Sequence, residues 1–109
     1  MIKLVPDPTF DKLAKLTVPN LLEPVEVPMT FRHMTAEQVT AWFKDNSGKP
    51  VAEAIDRILT GWTGVMGEDG QLVPYSLQAL ETLLKNYQPA GNEIILAWQI
   101  GLTESRVKN

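Results

Sequence analysis

Cysteine is absent from the sequence, and histidine occurs once, as His33. The lack of thiolates excludes disulfides, iron–sulfur clusters, cysteine nucleophiles and the common structural zinc sites. A single imidazole excludes a site built from several histidines, and the sequence offers no nucleophile–base pair for acyl transfer. We interpret His33 as a structural residue at a strand end, and we expect a protein that is not an enzyme and that uses no metal or cofactor.

The sequence also has no excess of basic over acidic side chains. Lys and Arg number 10 against 13 Asp and Glu, so the formal net charge is -3 and the isoelectric point lies near 5.0. Affinity for nucleic acid depends on clustered Lys and Arg. We therefore expect no nucleic-acid partner.

Long apolar runs are absent as well. The longest extends from Ile94 to Trp98, far short of the roughly 20 residues that a membrane-spanning helix needs. Residues 1–8 contain Pro6 and Pro8 and lack the apolar core of a secretory signal. These features predict a soluble intracellular protein with no membrane partner.

The length and composition fit one compact unit. The chain has 109 residues, of which 44% are hydrophobic and 21% are charged. This balance is ordinary for a globular protein, and domains usually contain roughly 100–150 residues. We expect a single domain over residues 1–109.

Residues 10–33 have the pattern of strands. Val27, Met29 and Phe31 share one parity, and polar residues occupy most of the positions between them, which is typical of a strand with one buried face. Proline cannot donate to a sheet ladder. Pro24 and Pro28 therefore predict that this strand lies at a sheet edge or leaves one side unpaired. We interpret residues 10–33 as a two-stranded antiparallel unit.

From residue 35 onward the apolar spacing becomes helical. Thr35 and Gln38 form the pattern of a capping box, and Pro50 suits the start of a second helix whose apolar stripe reaches Leu59. Gly61 is then expected to follow the end of that helix. Further helices are predicted to begin at Ser76 and to run from about Ala90 to Glu104. The sequence thus predicts an α+β fold: a two-stranded antiparallel unit followed by about four short helices over residues 35–104.

The glycine-rich stretch from Gly61 to Gly70 does not match a known ligand loop. The glycines lack the Gly-Lys-Ser/Thr of a phosphate-binding loop, and the oxygen ligands of an EF-hand are missing after Asp69. A tight turn at Asp69 and Gly70 accounts for this part better.

Exposed apolar side chains are the feature that points to a partner. Trp42 is interpreted as a core residue, whereas Trp62 either folds back as a hydrophobic plug, which we favour, or stays available to a partner. The last helix is apolar on nearly every side, so we expect it to present a second surface, either a subunit contact or a client groove. We expect Trp98→Ala, or a charge at Ile95, to weaken association more than folding. The candidate partner-binding residues are Trp62, Val65, Ile95, Trp98 and Leu102.

Several segments, in order, resemble one family. The segment from Ile58 to Val65, ILTGWTGV, resembles the G-W-x-G-V segment of tail assembly chaperones of long-tailed bacteriophages and prophages. The resemblance continues through residues 75–80 and 83–87, which are similar to the next helix of that family. It also includes residues 5–10, the strand at residues 25–32, and the closing residues 106–109, whose sequence RVKN fits the pattern R-x-K-N.

The resemblance implies a small non-enzymatic protein of the host cytoplasm that is absent from the mature virion. Family members bind the long, aggregation-prone tape measure protein and keep it soluble until tail tube subunits polymerise around it. The tail tube protein is a further candidate partner, and self-association is expected. The net charge and the apolar last helix fit reversible capture of amphipathic client helices.

Two other classes of function remain open at this point, and an enzymatic role is a third and weakest alternative, because no nucleophile–base pair can be named. The first is a small adaptor or regulator with a different protein partner, which would bind with discrete stoichiometry and rescue no insoluble client. The second is DNA binding through a helical pair in residues 35–59. It is disfavoured because residues 50–60 offer Arg57 alone against Glu53 and Asp56.

Overall fold

The computed structural model describes residues 1–104, and the resemblance at residues 106–109 lies outside them. In these residues one antiparallel sheet, ordered β1-β2-β3, is combined with four helices, so the predicted α+β class is confirmed. The elements in chain order are β1 (Thr9–Leu16), β2 (Val25–Arg32), α1 (Ala36–Asn46), α2 (Val51–Asp56), β3 (Leu59–Trp62), α3 (Leu77–Asn86) and α4 (Ala90–Thr103).

The predicted strand pair is present. β1 and β2 are antiparallel and in continuous register from Thr9 opposite Arg32 to Leu16 opposite Val25. The alternation also holds, because Val27, Met29 and Phe31 are all buried. Their side chains share the inner face of the sheet with alternate residues of β1.

β2 is the central strand of the sheet, so the first alternative, an edge strand, is wrong. The second alternative holds in part, because β3 pairs only with Met29 to Phe31 and, within residues 1–104, no strand is paired with that side of β2 before Met29. Pro28 is tolerated because of its place in the ladder. Its carbonyl accepts a hydrogen bond from the Thr63 N–H, on the β3 side, just beyond the pairing of Met29 with Trp62. A backbone N–H at position 28 would point in the same direction as this carbonyl, away from β1. The hydrogen bonds between β2 and β1 are therefore unaffected by the proline.

The third strand corrects the prediction for residues 57–62. α2 ends at Asp56, and Leu59–Trp62 forms β3 along the free side of β2. Ile58 and Leu59 are buried as the helical stripe requires, but they reach the core from a turn and a strand. Pairing with β2, including the bond from the Arg32 N–H to the Ile58 carbonyl, outweighs local helix propensity.

The predicted helix starts and turns are confirmed. The Thr35 hydroxyl accepts from the Gln38 N–H while the Gln38 side chain accepts from the Thr35 N–H, and Ser76 caps α3. Gly70, with φ of +76°, follows Asp69, whose carboxylate accepts from the Gln71 N–H. These contacts depend on neighbouring residues alone, which is why the sequence predicts them.

Helix α4 packs closely against β1. A Cβ added to Gly101 would lie within van der Waals overlap of the Phe10 ring. At the other end of the helix, the carboxylate of Glu93 accepts hydrogen bonds from the N–H and the hydroxyl of Thr17. Glycine at position 101 thus permits the close approach that brings Ile94 and Trp98 into the core.

Candidate functional site

A shallow apolar groove lies where α1, α2 and α4 meet. Its volume is about 320 Å³. The half of α1 nearest its C-terminus, the start of α2 and the middle of α4 all contribute to it. The lining residues are Trp42, Phe43, Asn46, Ser47, Lys49, Val51, Ala54 and Ile95.

The apolar rim of the groove is open to solvent. Phe43 is 46% exposed and Val51 is 51% exposed, while Ile95 is partly buried. The absence of a side chain at Gly91 allows α4 to pack closely against Val51 at the rim, since a Cβ at position 91 would lie 3.0 Å from the Val51 side chain. Large side chains left in water at one place are typical of a surface that contacts another molecule.

The floor of the groove is held rigidly. The Trp42 Nε1–H donates to the Ala54 carbonyl at 2.9 Å, which ties α1 to α2. Its ring meets Phe43 edge-on at a centroid distance of 4.8 Å and lies 5.0 Å from the ring of Trp98. Because Trp42 is fixed on these sides, the groove is preformed.

Two polar residues mark one wall of the groove. Asn46 is buried, and its Nδ2 donates to the Trp42 carbonyl at 2.7 Å. Its Oδ1 has no hydrogen-bond partner among residues 1–104, an unusual state for a buried acceptor. Lys49 adds a positive charge and, within the same residues, makes no ion pair.

The structure separates the five predicted partner-binding residues. Ile95 lies in the groove. Val65 and Leu102 are partly buried against the core and do not line the groove. Trp62 is 7% exposed and Trp98 is completely buried. The last two have almost no surface to offer a partner, and both belong to the core cluster.

Trp62 is a plug, which is the role favoured from the sequence. Its Nε1–H donates to the Val73 carbonyl at 2.9 Å, and Tyr75 packs edge-on against its ring. The Tyr75 hydroxyl donates to Asp56 at 2.6 Å. Burial, together with that carboxylate, raises the pKa of Tyr75 above its ordinary value. These bonds fasten the segment after β3 to the core.

The helical spacing of the apolar residues in α1 and α2 would place Phe43 and Val51 on the inward faces, but both side chains are exposed. Adjacent residues on a helix point about 100° apart, so Trp42 and Phe43 cannot both be buried on one narrow contact face. Trp42 takes the inward position and Phe43 the rim. The Trp-Phe pair was therefore the one sequence signal that could have revealed the groove.

The comparison with family models decides the assignment. The model described as phage tail assembly chaperone matches residues 1–109, the whole chain. The chain belongs to the phage tail assembly chaperone family. The resemblance noted in the sequence is therefore confirmed. No curated protein and no solved structure matches the chain.

Membership in the tail assembly chaperone family bears on the function of the groove. Tail assembly chaperones are not a class of enzymes, and their role in tail assembly implies protein partners. Within residues 1–104, no helix combines the length and the apolar character needed to cross a bilayer. In this family member, the apolar groove of α1, α2 and α4 is therefore a candidate protein-binding surface.

Proposed function

We propose that this tail assembly chaperone binds the tape measure protein of its phage through the groove of α1, α2 and α4 and keeps that protein soluble during tail tube polymerisation. The observation that carries the proposal is the preformed apolar groove with the exposed side chains of Phe43 and Val51 at its rim. Family membership supplies the assembly context.

The shape and charge of the groove define the segment it accepts. An amphipathic helix can lay its apolar stripe against Phe43, Val51 and Ile95, which is the usual helix-in-groove mode. Lys49 at the edge favours an acidic residue beside that stripe. Val65 and Leu102, both partly buried, are proposed as secondary contacts for a longer segment.

A shallow groove suits a chaperone that must release its client. Small apolar contacts give modest affinity, so the bound segment can leave when a competing protein covers it. We propose that arriving tail tube subunits act in this way, that the exchange takes place in the host cytoplasm, and that the chaperone is absent from the mature virion.

Co-expression tests the proposal. The tape measure protein should be mostly insoluble when expressed alone and should become several-fold more soluble with the chaperone, as measured by the soluble fraction after centrifugation. An unrelated acidic protein of similar size is the control. An unchanged soluble fraction would contradict the proposal and would favour the adaptor alternative.

A further inference from the structure

Asn46, the last residue of α1, holds a hydrogen-bond acceptor without a donor. The side chain is 8% exposed, and its Nδ2 donates to the Trp42 carbonyl one turn back along the helix. This bond fixes the orientation of the amide, because the reversed amide would set Oδ1 against the carbonyl oxygen, and both are acceptors. Among residues 1–104, nothing donates to the buried Oδ1.

The end of α3 shows that this local hydrogen bond does not require burial. α3 also ends in asparagine, and the Asn86 Nδ2 donates to the Thr82 carbonyl at the same spacing of four residues. Asn86 is exposed, so its bond leaves no acceptor inside the protein. A buried acceptor that lacks a donor destabilises a fold, and each such group calls for an explanation. Closing the end of a helix does not explain the one at Asn46.

The unpaired acceptor belongs to the groove. Asn46 lines it together with Ser47 and Lys49, and these two neighbours are exposed. Exposed side chains change rotamer within nanoseconds, so this wall can rearrange without disturbing the core. A segment bound in the groove is therefore placed to bring a donor to Oδ1.

The charge on the same wall restricts which donors are suitable. Lys49 makes no ion pair within residues 1–104, and its ammonium group repels a lysine or arginine of the client. A carboxylate has no proton to donate. An uncharged donor remains, and glutamine combines two N–H donors with a high helix propensity, whereas serine, threonine and asparagine favour helices less. Glutamine is thus the residue that an amphipathic client helix is best able to offer.

We propose that Asn46 selects client helices that carry a glutamine beside the apolar stripe, with the glutamine N–H donating to the Asn46 Oδ1. The inference rests on the proposed function and deepens it. The apolar rim binds amphipathic helices in general, and Asn46 discriminates among them. A helix that places only apolar side chains at this wall leaves Oδ1 unpaired and binds more weakly.

Peptides of about 20 residues that tile the tape measure sequence test the inference. They are titrated with the full-length chaperone, and binding is followed by fluorescence anisotropy. The tightest binder should contain a glutamine beside its apolar stripe. Methionine in place of that glutamine keeps the length and adds apolar surface, so a purely apolar groove would bind the methionine peptide at least as tightly. We expect it to bind about tenfold more weakly.

Two chaperone variants locate the discrimination. Asn46→Leu should bind the methionine peptide at least as tightly as the glutamine peptide, because leucine branches at the same carbon atom and leaves no buried acceptor. Asn86→Leu is the matched control. It makes the same change at the end of α3, away from the groove, and should keep the wild-type preference for glutamine.

The outcomes separate this inference from the proposed function. Binding that Val51→Asp weakens, but that has no preference for the glutamine peptide or keeps this preference in folded Asn46→Leu, would overturn the inference alone. A tightest binder without glutamine would do the same. If Asn46→Leu does not fold, the two peptides on the wild-type chain decide. Failure of every peptide to bind, or binding that Val51→Asp leaves unchanged, would contradict the proposed function and the inference together.

Discussion

Trp98→Ala is expected to remove a large part of the free energy of unfolding. The Trp98 side chain is completely buried, lies 5.0 Å from the ring of Trp42 and donates its Nε1–H to the Arg32 carbonyl. Truncating a large buried aromatic residue costs about 3–5 kcal/mol. Domains of this size are stable by about 5–15 kcal/mol. The variant should therefore unfold at much lower urea concentration than the wild-type chain.

Leu96→Ala is the matched control for this measurement. Leu96 is on the same helix but is 54% exposed, so its truncation should change the free energy of unfolding by less than about 1 kcal/mol. Equal losses in the two variants would contradict the role of Trp98 as the centre of the core. The expected outcome also reverses the expectation from the sequence, where Trp98→Ala was predicted to affect association more than folding.

Val51→Asp is expected to weaken client binding by about tenfold or more while the fold is kept. Val51 is 51% exposed on the groove rim and is the first residue of α2. An acidic side chain there is compatible with the helix N-terminus, but it places a charge where the client's apolar stripe should lie. Losing one central apolar contact weakens an interface by about tenfold or more. Co-expression should then leave the tape measure protein largely insoluble.

Leu72→Glu separates this effect from a general loss of apolar surface. Leu72 is exposed in the turn region between β3 and α3 and does not line the groove. This variant should solubilise the tape measure protein as well as the wild-type chain does. If Val51→Asp is folded and equally active, the groove is not the client site.

The parts of the fold that depend on neighbouring residues could be predicted from the sequence. The alternation through Val27, Met29 and Phe31, the capping box at Thr35 and the turn at Gly70 are each encoded within a few residues. β3 could not be predicted, since residues 51–59 have a helical stripe and the strand forms only because β2 offers a free side. Long-range pairing of this kind leaves no local pattern.

The candidate site was predicted only in part, for the same physical reason. The all-round apolar character of α4 indicated a second surface, and Ile95 does lie on the groove. The groove itself exists because α1 and α2 converge on α4, an arrangement set by the Trp42–Ala54 hydrogen bond and the close approach at Gly91. The tryptophans, which are the largest apolar side chains in the sequence, were taken into the core instead.

The absence of cysteine allows client binding in the groove to be tested directly, because one engineered cysteine is a unique attachment point on this chain. Val51→Cys and Leu72→Cys can each carry a photoreactive crosslinker and be illuminated with the co-expressed tape measure protein. We predict that the crosslinked product forms efficiently from position 51 and is nearly absent from position 72. Efficient crosslinking from position 72 with none from position 51 would contradict client binding in the groove.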